Sequence, residues 1–390
     1  MNDNQCPRRG GNQCPRLGGP LNGDNQSRAV IVRYGEISLK GKNRGQFELQ
    51  LKKDLAWFLK KNNHPFSDIT VQRGRIYIHG SADLPDLKKV LGVYSYSPAL
   101  EIARDYEVLK KEIASFIPEI KGSAHFRVSC QRLDKNFSPD SMTVEREIGA
   151  IIFQQTGTAV RLKDPAFELH IEIGHRHMYL FHEKIHGFGG FPVGSAGKLV
   201  SLISGGIDSP VATFLMMKRG VMPVLLHFQV SESEAAKVAR IRDHLEEFSA
   251  GKKIKLIVIP REELFLGKFS GLFGSRHEPY VCVICKYLMH KKAAQVVKEE
   301  GAWGIITGDN LAQVASQTLK NLLAQRRGSD CPVYSPLIAY EKIETMALAR
   351  QIGTYDLSIQ SVTGCTPPRN PKTGVSFARL LKVLEETGLK

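Results

Sequence analysis

The 390-residue chain contains no uninterrupted apolar run that approaches the roughly 20 residues of a membrane-spanning helix. Its first residues lack the basic and then apolar layout of a secretory signal peptide. Only seven cysteines are present, too few for a fold built on disulfides at this length. The 35 glycines follow no collagen-like period. These absences exclude membrane-spanning and fibrous classes and predict a soluble, folded, cytoplasmic protein.

Acidic residues are outnumbered, with 39 Asp and Glu against 54 Lys and Arg, for a net charge of +15. The excess occurs in both halves of the chain. Residues 28–196 contain 25 basic and 19 acidic residues, and residues 197–390 contain 26 and 18. A polyanion that contacts both halves would explain this distribution, and nucleic acid is the commonest such partner. A basic surface that is merely solvated is the alternative.

The first 27 residues contain an eight-residue repeat, 4–11 followed by 12–19, rich in Gly, Pro and Asn. Almost no apolar residue is available there for burial, so we expect a disordered tail. Beyond it, apolar residues at helical spacing predict an amphipathic helix over 46–61. Strand-like runs accompany this helix at 29–34, 69–71 and 75–78. This part of the chain therefore predicts a small α+β unit.

A second module follows as far as residue 185. Its predicted helices cover 85–91, 107–116 and 141–156, and its predicted strands cover 126–128, 167–173 and 178–181. The Gly-rich stretch 187–197 then marks a domain boundary.

The pattern after this boundary alternates between apolar strands and helical stretches of ten or more residues. The predicted strands cover 199–203, 222–228, 254–259 and 303–307. Such alternation predicts an α/β domain with a doubly wound parallel sheet covered by helices on both faces.

The most informative segment is Ser-Gly-Gly-Ile-Asp-Ser at residues 204–209, which we call the SGGIDS loop. An apolar strand precedes it, and a helix is predicted to begin at Ser209 with Pro210 in its first turn. Two glycines allow backbone N–H groups to approach a phosphate, and a helix N-terminus favours negative charge. The Asp208 carboxylate is suited to hold Mg²⁺ between phosphates. Neither the Walker pattern nor the dinucleotide G-x-G-x-x-G is present, and the loop resembles that of the PP-loop ATP pyrophosphatases.

Further segments resemble the tRNA uracil 4-sulfurtransferases, also called 4-thiouridine synthetases or the ThiI family. They are residues 33–44, the linker positions 189–194, and residues 307–318, and the resemblance extends from about residue 28 to 390. It implies a ferredoxin-like domain at 28–80, a THUMP RNA-binding domain at 81–186, a linker at 187–197, and the PP-loop domain at 198–390. It also implies ATP-dependent adenylation of uridine 8 in tRNA, followed by replacement of its O4 by sulfur.

The resemblance implies specific site residues. By motif, the ATP contacts are Leu202, Ile203, Ser204, Gly205, Gly206, Asp208, Ser209, His227, Phe228, Lys286, Gly308 and Gln317. The implied catalytic residues are Asp208 and Cys365. Candidate RNA contacts are the cations Lys40, Lys42 and Arg44 of one polar loop, together with Arg127 and Arg132 in the THUMP module.

Three cysteines are candidates for the sulfur chemistry. Cys365 corresponds to the cysteine that carries persulfide sulfur in relatives with a C-terminal rhodanese domain, and the chain stops at Lys390, too early for that domain. The expectation is therefore a separate sulfur donor, either a cysteine desulfurase persulfide or sulfide. Cys282, Cys285 and Cys365 also resemble the set that holds a [4Fe-4S] cluster in rhodanese-lacking relatives. A redox Cys-x-x-Cys pair, with Cys365 as the sole persulfide carrier, is the competing interpretation.

Other functions stay open at this point. A small-molecule amide ligase or a different tRNA thiolase would use the same loop, and a non-catalytic tRNA-binding protein would explain the charge. Family resemblance further suggests a homodimer and sulfur transfer to the sulfur-carrier protein ThiS for thiamine synthesis.

Overall fold

The computed structural model describes residues 27–72, 74–81, 86–362 and 364–390. The predicted disordered tail, apart from its last residue Ser27, lies outside the described residues. Two β-sheets organise the described part of the chain, one of nine strands and one of five. None of the helices described is long and apolar enough to cross a membrane.

The nine-stranded sheet and its helices occupy the first half of the chain. In order, the elements are β1 (Ser27–Arg33), α1 (Arg44–Lys61), β2 (Asp68–Gln72), β3 (Arg75–His79), β4 (Ser95–Ala103), α2 (Tyr106–Glu112), α3 (Ile117–Lys121), β5 (His125–Arg132), α4 (Ser141–Thr156), β6 (Ala159–Val160), β7 (Phe167–Ile173), β8 (His177–Phe181) and β9 (Ile185–His186). The strand order is β2-β3-β1-β4-β8-β7-β5-β6, and β9 pairs with β4.

Strand β4 joins the two N-terminal modules into one sheet. It pairs antiparallel with β1 along its length and with β8 from Leu100 to Ala103. Sequence patterns did not predict this strand, because Pro98 lies near its middle and prolines are rare in central strands. Pairing with β8 begins only at Leu100 and pairing with β9 ends at Tyr96, so the missing N–H of Pro98 interrupts neither ladder. The expected boundary between residues 80 and 81 therefore does not coincide with a break in the sheet.

Helix α1 forms as the spacing predicts, with Leu51, Leu55 and Leu59 buried against β1 and β3. The helix predicted at 85–91 is wrong for the described residues, where only a 3₁₀ turn forms at Leu87–Lys89. The turn ends because Val90 is extended and Gly92 has a φ of +110°. A side chain at Gly92 would also approach Leu51 of α1 at 3.1 Å. The stretch predicted as a helix over 107–116 consists of α2 followed by a 3₁₀ turn.

The five-stranded sheet lies in the second half. Its elements are β10 (Lys198–Leu202), α5 (Asp208–Lys218), β11 (Met222–Gln229), α6 (Glu232–Glu246), β12 (Leu256–Pro260), α7 (Arg261–Leu264), α8 (Val281–Glu299), β13 (Ile305–Ile306), α9 (Leu319–Arg326), β14 (Val333–Tyr334), α10 (Lys342–Ile352), α11 (Tyr355–Ser358) and α12 (Phe377–Thr387). All strand pairs are parallel, in the order β12-β11-β10-β13-β14.

Both faces of this sheet are covered by helices, as predicted. Leu199 and Leu225 face a core shared with α5, α6 and α10. Val200 and Leu226, the next residues along β10 and β11, face the opposite side and pack against α8. This alternation follows from the two-residue period of a strand. The carboxyl ends of the strands thereby meet at one edge, where open α/β sheets bind ligands.

The Gly-rich stretch 187–197 packs against the second sheet. The Phe191 N–H donates to the carbonyl of Lys218 at 3.0 Å, and the Phe191 ring is buried. Ion pairs add to this junction, since Arg219 donates to both carboxylate oxygens of Glu36 and Lys252 lies 2.8 Å from Asp54. The two halves of the chain therefore share an interface built from apolar and charged contacts.

Candidate active site

The SGGIDS loop connects the carboxyl end of β10 to the N-terminus of α5, and two serines close it. The Oγ atom of Ser209 accepts the N–H of Ser204 at 2.9 Å and lies 3.1 Å from the Oγ atom of Ser204. Helix α5 begins at Asp208, one residue before the predicted start, with Pro210 in its first turn. The loop thus presents two glycines and a helix N-terminus at one point, which is the arrangement that favours a bound anion.

A cavity of about 220 Å³ opens in front of this loop. Nine of the twelve predicted ATP contacts line it: Leu202, Ile203, Ser204, Gly206, Asp208, Ser209, Lys286, Gly308 and Gln317. They come from β10, α5, α8 and the segment after β13, so residues more than 100 positions apart meet at one edge of the sheet.

Three predicted contacts do not line the cavity. His227 is buried at the end of β11, where its Nδ1 atom lies 3.0 Å from the carbonyl oxygen of Ile203. The Phe228 ring packs in the apolar core between β11 and α8. Gly205 belongs to the loop, and the space beside its Cα is occupied by the side chain of Lys237.

Asp309 is a cavity residue that was not predicted as a contact, although it stands in the segment 307–318 that carries the family resemblance. Lys286 Nζ donates to Asp309 Oδ1 at 2.9 Å, and Thr307 Oγ1 donates to Asp309 Oδ2 at 2.8 Å. Because Thr307 has a single hydroxyl hydrogen, Ser335 donates to Thr307, and Arg326 in turn donates to Ser335. Burial raises the pKa of Asp309, but Lys286 and Thr307 outweigh it, so the net shift is downward.

His290 is a second cavity residue that the sequence did not single out. It is 2% exposed, and its Nδ1 atom has no hydrogen-bond partner among the described residues. Burial lowers the pKa of His290 to about 4, so its ring is neutral near pH 7. A neutral imidazole with a free nitrogen at a cavity wall can accept or donate one hydrogen bond to a ligand. No pattern in the sequence signals it, since His290 lies within the apolar helix α8.

Lys342 is a third residue that sequence patterns missed. It begins α10, and its Nζ atom donates to Oδ1 and Oδ2 of Asp208 at 2.7 and 2.9 Å. The ammonium thus neutralises the carboxylate at the start of α5. No sequence pattern indicates this pair, because the two residues are 134 positions apart in the chain.

The three candidate cysteines lie near one another beside the cavity. Cys282 and Cys285 are one turn apart on α8, and Cys285 Sγ is 3.9 Å from Sδ of Met289, which lines the cavity. Burial raises the pKa of both thiols, that of Cys285 to about 12, and the charge of Cys365 raises both further. Cys365 itself is exposed and accepts a hydrogen bond from Arg261 Nη1 at 3.2 Å.

The side chains of these cysteines are not arranged as a metal site. Within the described parts of the chain, no group of three or more His, Cys, Asp or Glu side chains is placed to hold a metal ion. The thiol chemistry nevertheless suits an iron–sulfur cluster, in which each cysteine binds a different iron atom.

Comparison with known protein families gives a match for each of the three parts of the chain. Residues 29–97 match the ThiI ferredoxin-like domain, residues 103–183 match the THUMP domain, and residues 194–389 match the family described as thiamine biosynthesis protein (ThiI). A probable tRNA sulfurtransferase of Thermococcus kodakarensis is 38% identical over 341 residues, which are 84% of this chain and 88% of the relative. This chain belongs to the ThiI family of tRNA sulfurtransferases.

Other members of the ThiI family agree. A probable tRNA sulfurtransferase of Methanothermobacter thermautotrophicus is 35% identical over 379 residues, 93% of this chain and 94% of the relative. A solved 4-thiouridine synthetase in complex with RNA and bound ATP is 31% identical, covers 93% of this chain and 95% of its own, and has a TM-score of 0.81. The predicted family, the three-domain fold class and the assignment as an enzyme are therefore confirmed.

The RNA contacts predicted for this ThiI-family chain lie on different elements. Lys40, Lys42 and Arg44 stand at the turns that lead into α1, and the Lys40 ammonium lies 4.3 Å from the ring centroid of Phe191. Arg127 and Arg132 lie on β5, and both donate to backbone carbonyls of nearby loops. The structure thus places the five cations in two groups, one at the domain junction and one on the THUMP domain.

Proposed function

We propose that this enzyme uses ATP to convert uridine 8 of tRNA to 4-thiouridine. The observation that carries the proposal is the position of the sulfur-bearing helix. On α8, Cys285 precedes the cavity residue Lys286, and its thiol contacts the cavity residue Met289. A cavity suited to a nucleotide therefore adjoins a group of thiols, as adenylation followed by sulfur transfer requires.

The first step makes the uridine oxygen a leaving group. The uridine O4 attacks the α-phosphorus of ATP, the bond to the β-phosphate breaks, and pyrophosphate leaves. The SGGIDS loop and the N-terminus of α5 would hold the phosphates, because backbone N–H groups and the helix dipole favour anions. Asp208 would hold Mg²⁺, for which its partly exposed carboxylate is a suitable ligand. The solved relative that holds RNA and ATP in one complex supports a site at which both substrates meet.

The second step replaces oxygen by sulfur. A sulfur nucleophile attacks C4, the C4–O bond breaks, and AMP leaves with the former O4. Cys365 is the candidate carrier of a persulfide because its thiol is exposed and receives a hydrogen bond from the Arg261 guanidinium. After the outer persulfide sulfur attacks C4, a second thiolate attacks the Cys365 sulfur, the S–S bond breaks, and the thiocarbonyl is released as a disulfide forms. An external thiol then reduces this disulfide. A [4Fe-4S] cluster, if bound, would be held by Cys282, Cys285 and Cys365 and would supply a site for incoming sulfide. Anaerobically purified protein that is brown, and bleached in Cys282→Ala, supports the cluster; colourless, fully active protein contradicts it.

The test is thionucleoside formation by the full chain. Protein, ATP, Mg²⁺ and unmodified tRNA are incubated with sulfide in one reaction and with a cysteine desulfurase and cysteine in a parallel one, and the near-ultraviolet absorbance of 4-thiouridine is followed. We expect product with native protein and little with Asp208→Asn or Cys365→Ser, while Cys331→Ala serves as a matched control at a cysteine outside the cavity. A tRNA with cytidine at position 8 should give no product. Absence of product from a reduced, cluster-loaded native preparation would reject the proposal.

Remaining expectations belong to the same proposal. The basic residues in excess over residues 28–196 would bind the tRNA acceptor end, and a separate protein or sulfide would donate sulfur in the cytoplasm.

Sulfur transfer to ThiS and a homodimer that acts on tRNA in trans are proposed from family resemblance alone. Mixing a SGGIDS-loop variant with a Lys40→Ala, Lys42→Ala variant tests the dimer, since restored activity requires action in trans. An amide ligase would instead consume ATP without tRNA.

A further inference from the structure

Lys237 is a buried cation outside the residues assigned to the site. It lies on α6, which packs against β11, and it is only 3% exposed. Lysine is rarely buried to this extent unless its charge has a partner. Its surroundings therefore define what the side chain does.

The first neighbour is the SGGIDS loop. A Cβ atom built at Gly205 would lie 3.1 Å from Cδ, 3.4 Å from Cε and 3.6 Å from Nζ of Lys237. The lysine side chain thus lies flat against the back of the loop. Its ammonium places a positive charge directly behind the backbone that would hold the phosphates.

The second neighbour is the chain that leads to Cys365. Lys237 Nζ donates to the carbonyl oxygens of Ser358 and Gln360, each at 2.7 Å. Ser358 is the last residue of α11, and Gln360 lies five positions before Cys365. One lysine side chain therefore lies beside the SGGIDS loop, and its ammonium holds the chain that leads to the Cys365 segment.

The charge of Lys237 is incompletely balanced. An ammonium has three N–H donors, and two are taken by neutral carbonyls. Among the residues that the structure describes, no carboxylate lies within 4.0 Å of Lys237 Nζ, and burial lowers the pKa of Lys237. The charge of Glu234, one turn earlier on α6, raises the pKa of Lys237, but burial outweighs it. A buried ammonium that no carboxylate contacts is costly, and an anion at the loop would relieve that cost.

We propose that Lys237 is a positioning residue that couples nucleotide binding at the SGGIDS loop to the placement of the Cys365 segment. The proposal rests on the proposed function, since it takes the polyphosphate of ATP as the anion. Bound phosphates balance the ammonium from the front of Gly205, while the same ammonium holds the carbonyls of Ser358 and Gln360. Phosphate occupancy and the position of Cys365 then depend on each other. A purely structural lysine would hold the segment equally with or without nucleotide.

The experiment compares native protein with Lys237→Met, which removes charge and donors, and Lys237→Gln, which keeps polar donors without charge. Arg240→Gln is the matched control, because Arg240 lies on the exposed side of α6 and donates a hydrogen bond to the side chain of Gln360 rather than to its backbone. Two readouts are taken. The first is the KM for ATP together with kcat in 4-thiouridine formation. The second is the rate at which iodoacetamide labels Cys365, measured on its peptide by mass spectrometry, with and without ATP.

We expect native protein and Arg240→Gln to show a clear change in Cys365 labelling on ATP addition. Both Lys237 variants should lose this ATP dependence, and their KM for ATP should rise about tenfold, the effect of losing one charge-assisted interaction. Circular dichroism shows whether each variant folds. If one Lys237 variant does not fold, the other one tests the proposal. An unchanged KM for ATP together with an ATP-dependent rate of Cys365 labelling in a folded Lys237 variant would overturn the proposal. A rate of Cys365 labelling in native protein that is the same with and without ATP would overturn it too.

The two proposals fail in different ways. Native protein that makes no 4-thiouridine contradicts the proposed function. Native protein that makes 4-thiouridine while the Lys237 variants match it in both readouts contradicts only the role of Lys237. The labelling arm needs ATP binding but no turnover, so it decides the role of Lys237 independently of the reaction.

Discussion

Lys342 holds both carboxylate oxygens of Asp208, at 2.7 and 2.9 Å, although the two residues are 134 positions apart. The pair joins the first residue of α5, which lines the cavity, to the first residue of α10. The ammonium thereby fixes the position of the carboxylate. Under the proposed function, the Lys342 ammonium would be free to contact a phosphate once Asp208 holds Mg²⁺.

Removal of either partner should therefore impair catalysis, and the two losses should not add. We expect Lys342→Met and Asp208→Asn each to lower kcat for 4-thiouridine formation on the order of 100-fold. The double variant should be about as slow as the slower single variant, because the residues act as a unit. Lys382→Met, an exposed lysine on α12, is the control. Rate losses that multiply in the double variant would show that the residues act independently.

The Asp309 carboxylate should make stability depend on acid pH. Its pKa lies below the ordinary value of 3.8, since Lys286 and Thr307 outweigh the effect of burial. The corresponding stabilisation is present above pH 3.8 and is lost as pH falls through the lower pKa of the folded state. Native protein should thus lose more unfolding free energy than Asp309→Asn on acidification below 3.8, as measured by urea denaturation. Asp243→Asn, at an exposed carboxylate on α6, should follow the native curve. Parallel curves for native protein and Asp309→Asn would contradict the assignment.

His290 should lower the free energy of unfolding at mildly acidic pH, above the range in which Asp309 acts. Burial lowers its pKa to about 4 from an ordinary 6.5, so the ring stays neutral in the folded protein while the unfolded chain takes up a proton. Stability is therefore complete above pH 6.5 and falls between 6.5 and 4, by about 3 kcal/mol in total. His290→Gln should flatten this part of the profile, and exposed His175→Gln should not. An NMR titration of the His290 ring that gives an ordinary midpoint would refute the prediction.

The features that the sequence predicted are local or periodic. Helix α1 and strands β10 to β13 follow from apolar spacing, and the SGGIDS loop follows from two glycines between a strand and a helix. Strand β4 was not predicted, because a proline such as Pro98 argues against a central strand. Only the structure shows that neither β8 nor β9 pairs with β4 at Pro98. The helix expected at 85–91 failed because Val90 is extended and Gly92 has a positive φ, in a place where Leu51 of the distant helix α1 leaves little room for a side chain.

The residues of the candidate site likewise divide into those that the sequence predicted and those that it did not. Most predicted ATP contacts line the cavity because they follow strand ends, and strand ends meet wherever a parallel sheet forms. Lys342 and Lys237 were missed because each contacts a partner elsewhere in the chain, and His290 was missed because only the fold places it at the cavity wall. For Lys237 that separation is 121 residues, and nothing in the sequence of α6 distinguishes it from a solvent-exposed lysine. The Lys342 and Lys237 contacts lie within one domain, and pairing over more than 100 positions is a property of the tertiary structure.

Gly190 should be intolerant of any side chain, because it sits where the linker stretch meets α5. Its φ is +79°, and a Cβ atom there would lie 2.0 Å from the carbonyl oxygen of Lys218. That carbonyl accepts the N–H of Phe191, whose ring is buried at the domain junction. Gly190→Ala must therefore either break this hydrogen bond or move the linker away from α5.

We expect Gly190→Ala to lower the free energy of unfolding by roughly 2–4 kcal/mol in urea denaturation, from backbone strain and the lost contact together. Activity on tRNA should fall as well, since the junction sets the N-terminal domains against the PP-loop domain. Gly149→Ala is the matched control, because this glycine lies within α4 with open space around it. There the added methyl should stabilise the helix by about 0.5–1 kcal/mol. Equal stability of Gly190→Ala and native protein would mean that the linker does not need this close approach.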